Sequence, residues 1–231
     1  PNLYRGLISP DPADNTKVVG DLAESWTVSK DGTTFTFKLK KDAKFPSGKV
    51  VTAEDAAFSF QRAIKLNKQP AFILSQFGYT KDNVDALISA QDSETLVMKL
   101  PAPVAPSFLL FCLTAPIGGV VEKATALAHE VNGDFGNGWL KLHSAGAGGY
   151  QMVEWVASDH VTLDANPHSG KPDQPRRIFI RHVPDPSAQL LMLQKGDDAE
   201  KVLDSIPADS VPASAFINDV ILRAANLLWS Q

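Results

Sequence analysis

The stretch Asp21–Phe60, DLAESWTVSKDGTTFTFKLKKDAKFPSGKVVTAEDAAFSF, decides how the rest of the chain is read. Trp26 and Val28 alternate with polar residues, Asp31-Gly32 supplies a turn, and Phe35, Phe37 and Leu39 alternate with Thr34, Thr36, Lys38 and Lys40. Period-two alternation on both sides of an Asp-Gly pair predicts a β-hairpin with one apolar and one wet face. Phe45-Pro46-Ser47-Gly48 reads as a loop. Thr52-Ala53-Glu54-Asp55 then opens a helix, because a hydroxyl at the N-cap and acids in the first turn satisfy backbone N–H groups that have no helical partner. Nothing in this stretch is catalytic.

Working outward, Leu3–Ile8 is a short apolar segment closed by the turn chemistry of Ser9-Pro10-Asp11-Pro12. The helix from Ala53 to about Asn67 carries Ala56, Ala57, Phe60, Ala63 and Ile64 on one face, with Phe58 off that stripe and available to a second layer. An aromatic, largely uncharged segment, PAFILSQFGY, spans Pro70–Tyr79. Val84–Ala90 and Thr95–Leu100 alternate like strands. Pro101, Pro103 and Pro106 enforce extended chain before an apolar helix at Ser107–Leu113. A further helix is expected at Glu122–Val131 and a loop at Asn132–Gly138.

The next block predicts a small β-meander. Gly146–Gly149 reads as a flexible lead-in, Tyr150–Val156, His160–Ala165 and Arg177–Val183 as its strands, and Ser158-Asp159 as a turn. Asp185-Pro186 has the N-cap and first-turn chemistry of a helix that runs through Gln194. After Gly196 the chain turns acidic at Asp197–Glu200, and Ala215–Trp229 is a strongly apolar helix candidate.

Composition excludes several functions. A net charge of −4 over 231 residues leaves no basic stripe to neutralise phosphates, so no nucleic-acid partner is expected. The longest apolar run, Val104–Val121, is broken by prolines, polar residues and glycines and does not form a membrane span. Cys112 is the single cysteine, which excludes an internal disulfide and a multi-cysteine metal site; a small buried apolar role suits it. His129, His143, His160, His168 and His182 show no metal-ligand spacing. Gly146–Gly149 precedes a strand, whereas a phosphate cradle precedes a helix. No serine-nucleophile motif is present. The residues themselves therefore describe a mixed α/β protein with no metal, no cofactor and no catalytic constellation.

Several segments taken in order resemble the extracytoplasmic solute-binding proteins of ABC importers, in the dipeptide, oligopeptide and nickel-binding family. They are Asn2–Leu7, Asp21–Trp26 with Asp31-Gly32 and Phe35-Thr36-Phe37, Phe45–Gly48, and Thr52–Asp55 with Phe58-Ser59-Phe60 and Arg62. Downstream come Gly146–Tyr150, Glu154-Trp155, Asn166-Pro167, Gly170-Lys171-Pro172, Ile180 through Pro184–Ser187, and Gln194-Lys195-Gly196. The resemblance covers roughly residues 2 to 198. It departs from the family at Gly149, where a proline is usual, and at His168-Ser169, where an aromatic pair is usual. It departs again at Asp197–Val202, where an alternating hinge strand is expected, and no second lobe follows.

The resemblance implies a periplasmic-binding-protein-like α/β lobe with a mixed β-sheet subdomain (1–50 and 145–198) and an inserted α+β subdomain (51–144). Residues 199–231 remain an unassigned tail with an apolar helix. It also implies a periplasmic or extracytoplasmic component that binds a small solute such as a peptide in a cleft, works with membrane ABC permease subunits and is not an enzyme. The aromatic side chains Phe72, Phe77 and Tyr79 are the candidate cleft wall, and packing in the core is the competing role for each. The apolar tail keeps a second reading open: an interaction module that retains the lobe scaffold, with Phe216, Ile217, Val220, Ile221, Leu227, Leu228 and Trp229 docking on a partner or a second copy.

Overall fold

The hairpin forms as expected and supplies two of the four strands of the main sheet. A computed structural model describes residues 2–170 and 174–195; the apolar segment Ala215–Trp229 lies outside them. Strand β1 (Ile8–Pro10) pairs antiparallel with β2 (Val18–Gly20). Strands β3 (Ala23–Val28) and β4 (Thr34–Leu39) place Trp26 opposite Phe37 and Val28 opposite Phe35. Gly32 turns the chain at φ +69°, a left-handed conformation that glycine adopts without steric cost. Phe35, Phe37 and Leu39 are buried, while Thr34, Thr36 and Lys38 alternate with them on the wetter face.

Helix α1 (Ala53–Leu66) starts in a full capping box: the Asp55 N–H donates to the Thr52 hydroxyl oxygen, and the Asp55 carboxyl accepts from the Thr52 N–H. Its Ala53, Ala56, Ala57, Phe60, Ala63 and Ile64 enter the main core. Phe58 points elsewhere, into a second cluster with Val121, Ala126 and Ala145, and meets Phe135 edge-on. Helix α2 (Phe72–Ser75) is a single turn.

Val84–Ala90, expected as a strand, is instead a helical turn, α3 (Val84–Leu87), that runs straight into β5 (Ile88–Ala90). Val84 and Ile88 are both fully buried, a spacing of four that suits a helical turn as well as a strand. The Asn83 side chain decides between them, accepting from the Thr80 N–H and donating to the Gly78 carbonyl to curl the chain. Strand β6 (Thr95–Lys99) completes a four-stranded sheet in the order β3-β4-β6-β5.

Helix α4 (Pro106–Leu113) follows and takes in Pro106, expected to end the extended chain before a helix at Ser107; proline suits the first helical position because its missing N–H would have no partner there. Helix α5 (Lys123–Ala128) is shorter than expected, and the positive φ of Asn132 turns the chain away soon afterwards. The meander consists of β7 (Tyr150–Val156), β8 (His160–Ala165) and β9 (Arg177–Arg181), all antiparallel. Helix α6 (Pro186–Lys195) is capped by Asp185, whose carboxyl accepts from the Ala188 N–H.

The glycine lead-in, expected to be flexible, is buried and tightly seated. Gly148 N–H donates to Leu3 O and Tyr150 N–H to Asn2 O. A Cβ on Gly148 would stand 2.2 Å from the Asn2 oxygen, so this close approach admits only glycine. Asn166, 1% exposed, donates to Gly148 O from its side chain and holds the far end of β8 on the same joint. The outer end of the meander is solvent-facing: Trp155 and Ile180 are 47% and 52% exposed.

The segment boundary drawn at about residue 50 does not coincide with a break in the core. β4, from one side of it, pairs with β6, from the other, and the main core draws residues from both. Among the described residues, no helix is long and apolar enough to cross a membrane.

Two measurements test these local arguments. Thr52→Ala is expected to lower stability by about 1 kcal/mol. Asp55→Ala is expected to lower it by about 2–4 kcal/mol, because its carboxyl also accepts from the Lys123 N–H and that donor would be left unpaired. Urea unfolding followed by tryptophan fluorescence reads both, and equal losses would mean that Asp55 serves the cap alone.

The second measurement concerns His160, whose ring nitrogens contact Glu154 and Asp159 at 3.1 and 3.0 Å. The hydrogen bond to Glu154, then that to Asp159, raises its pKa above the ordinary histidine value. A raised folded-state pKa stabilises fully below the unfolded value, and that contribution is lost as pH rises through the folded one. Amide protection in β7 and β8 should therefore fall as pH rises through the His160 midpoint measured by NMR, and His160→Gln should remove that dependence; a flat profile in the unsubstituted chain counts against it.

Candidate ligand-binding surface

Three aromatic residues are expected at a cleft wall, and the fold treats them differently. Phe72 opens α2 and is 60% exposed. Phe77 and Tyr79 are buried, at 6% and 2% exposed, and belong to the main core. The Tyr79 hydroxyl is buried without a hydrogen-bond partner among the described residues, and burial pushes its pKa up. Packing is therefore what Phe77 and Tyr79 supply, and only Phe72 of the three offers its ring to solvent.

Phe77 nonetheless organises the surface from below. Its ring lies tilted against Phe108 of α4, with centroids 5.2 Å apart, and Phe108 is 49% exposed. Gln76 bridges the same two elements, donating to Ile73 O at 2.8 Å and to the Cys112 sulfur at 3.7 Å. Cys112 is half-buried with its thiol pKa raised by burial, an inert filler between helices rather than a nucleophile. α2 and α4 thus each present an exposed aromatic ring, Phe72 and Phe108; the Phe108 ring rests on Phe77, and Gln76 links the two helices through Cys112. Such rings offer broad apolar contact with little conformational freedom to lose.

Phe108 is not singled out by the sequence. It lies in Ser-Phe-Leu-Leu-Phe-Cys-Leu, where every position after the serine is apolar and no polar face marks which ring stays outside. Three histidines stack on aromatic rings: His129 and His143 on Trp139, at 4.1 and 4.4 Å, and His160 on Phe179. Among the described residues, no three His, Cys, Asp or Glu side chains gather to hold a metal.

Comparison with known proteins agrees with this architecture. The family of bacterial extracellular solute-binding proteins, family 5 Middle, matches residues 17–213. The probable D,D-dipeptide-binding periplasmic protein DdpA of Escherichia coli is 31% identical over 207 residues, covering 89% of this chain and 37% of that protein. The periplasmic oligopeptide-binding protein OppA of Escherichia coli is 31% identical over 178 residues, or 72% of this chain and 31% of that protein.

Among solved structures, NikZ from Campylobacter jejuni in complex with Ni(L-His) superposes with a TM-score of 0.68 at 24% identity, covering 88% of this chain and 40% of that one. Haemophilus influenzae OppA in complex with RPPGFSPFR gives 0.67 at 23% identity, covering 85% and 39%. The chain thus has a periplasmic-binding-protein-like α/β lobe fold and spans well under half the length of these relatives. The two Escherichia coli relatives are periplasmic binding proteins and the matched family is one of extracellular solute-binding proteins, which makes the chain periplasmic or otherwise extracytoplasmic. It belongs to the bacterial extracellular solute-binding proteins, family 5.

Proposed function

We propose that this chain is a solute-binding lobe of an ABC-type importer, that it takes short peptides or related small solutes, and that it does so without catalysis. The observation that carries the reading is the exposure of two aromatic rings, Phe72 and Phe108, on helices that Gln76 links, with Phe108 resting on the buried Phe77. Leaving two large aromatic rings in water gains nothing for folding, whereas a ligand laid across them removes their apolar area from solvent. The names of the relatives support the ligand class, since they specify a D,D-dipeptide and oligopeptides. Delivery then goes to membrane permease subunits.

A single lobe supplies one wall of a cleft. Binding proteins of this architecture enclose solute by domain closure, so the affinity of this chain alone is expected to be weak. The division into a sheet-bearing part (1–50 with 145–198) and an inserted part (51–144) belongs to the same proposal as a division of roles rather than of cores, since β4 and β6 pair across it; the solute-facing rings lie in the inserted part.

Calorimetry against a panel of short peptides and nickel chelates tests the reading. Phe72→Ala is expected to weaken the best binder several-fold while leaving the melting temperature unchanged, because its ring is outside the core. Phe77→Ala is expected to destabilise the chain by about 3–5 kcal/mol, as for other buried phenylalanines. Undiminished binding by Phe72→Ala and by Phe108→Ala would remove the aromatic wall from the proposal.

A further inference from the structure

A second concavity, separate from the Phe72–Phe108 surface, lies between the C-terminal end of α1, the turn Pro116–Gly118 and the segment that leads into Trp139–Lys141. Its volume is about 300 Å³, at the small end of the range for ligand sites, which suits a molecule the size of one or two amino acids. Its polar lining is one-sided. Arg62, Lys68 and Lys141 face it with Tyr4, Gln69 and Asn137, and no aspartate or glutamate lines it.

Arg62 is the half-buried member. Its Nε donates to the Phe135 carbonyl at 2.9 Å, which fixes the guanidinium plane, while its terminal nitrogens have no hydrogen-bond partner among the described residues. The nearest acid, Asp134, is already committed: its oxygens accept from the N–H groups of Val131, Gly136 and Gly138. Burial lowers the Arg62 pKa, and the neighbouring Tyr4 and Asp134 act in the opposite direction without hydrogen-bonding to the guanidinium. A positioned guanidinium with open donors, and no carboxyl in its own wall to answer it, is incomplete as a structural ion pair and complete as half of one.

We infer that this cavity is an anion subsite for a small organic carboxylate, with Arg62 as the fixed donor at its floor and Lys68 and Lys141 as mobile cations at its rim. Two features select a monocarboxylate over a phosphate-like dianion. The helix end at the cavity is the C-terminus of α1, whose unpaired carbonyls oppose added negative charge. The remaining wall is apolar, from Leu66, Ile117 and Leu140, and accommodates a carbon skeleton. The inference stands independently of the aromatic wall, because the two surfaces share no residue.

The test is an NMR titration of the whole chain with N-acetylleucine and with its uncharged amide. The acid should perturb resonances of Arg62, Gln69 and Asn137 and weaken as salt is added, whereas the amide should leave them unmoved. Arg62→Gln should reduce affinity by about tenfold, the loss expected for one charge-assisted interaction. Because Arg62 also holds the Phe135 carbonyl, the double variant Lys68→Gln, Lys141→Gln serves as the second arm; both side chains are exposed, and the pair should weaken the acid several-fold with an unchanged melting temperature. Equal shifts from acid and amide, or undiminished binding in both variants, overturns the anion subsite. Phe72→Ala should leave this titration unaltered, so its failure and that of the aromatic wall are read separately.

Discussion

The Asp55 carboxyl holds together parts of the chain that sequence separates by 68 residues. It accepts from the Thr52 N–H and hydroxyl, which starts α1, and from the Lys123 N–H, which starts α5. One turn later, Ser59 repeats the link: its hydroxyl donates to Asp55 O and accepts from the Val121 N–H. Both side chains are buried. A buried polar group left unpaired is costly, so α1 and the segment from Val120 to Lys123 have one relative position in which all these donors and acceptors are answered. That position puts Phe58 into the second cluster, and leaves the cavity floored by Arg62 on the same helix.

The meander is held by backbone rather than by side-chain bulk. Asn2, Leu3, Gly148 and Tyr150 exchange main-chain hydrogen bonds, and Asn166 closes the joint from β8. Close contact of this kind requires the absence of a Cβ, which explains why glycines cluster there. Packing elsewhere in the meander is asymmetric. Leu163 in its central strand is buried, while Trp155 and Ile180 at its outer end stay in water, and the opposite face is carried by charge pairs such as Arg177 with Asp164 at 2.6 Å. The rigid end of this unit is therefore the one joined to the main body.

Legibility in the sequence followed the range of the forces involved. The hairpin, the capping boundary at Thr52 and the Asp185 cap all rest on contacts within a few residues, and each is where local chemistry placed it. The off-stripe position of Phe58 was legible too, because a helix has only one face toward each layer. Val84–Ala90 was not: an apolar residue at positions 84 and 88 fits both periods, and the deciding hydrogen bonds come from Asn83. The glycines before β7 read as a flexible lead because their partner, the Asn2–Leu3 backbone, lies more than 140 positions away. Among the aromatic candidates, the same logic separated Phe72 from Phe77 and Tyr79 only once α4 was in place.

By itself, then, the sequence determined most of the secondary elements, the α/β class and, through an ordered set of short segments, the family. Each of these depends on the order of residue types along the chain. Which aromatic rings remain in solvent, which glycines have no room for a Cβ, and which arginine faces a cavity without a carboxyl to pair with were decided only by tertiary structure. Exposure and charge balance at a site are sums over neighbours from distant segments, and a linear sequence does not say which neighbours those are.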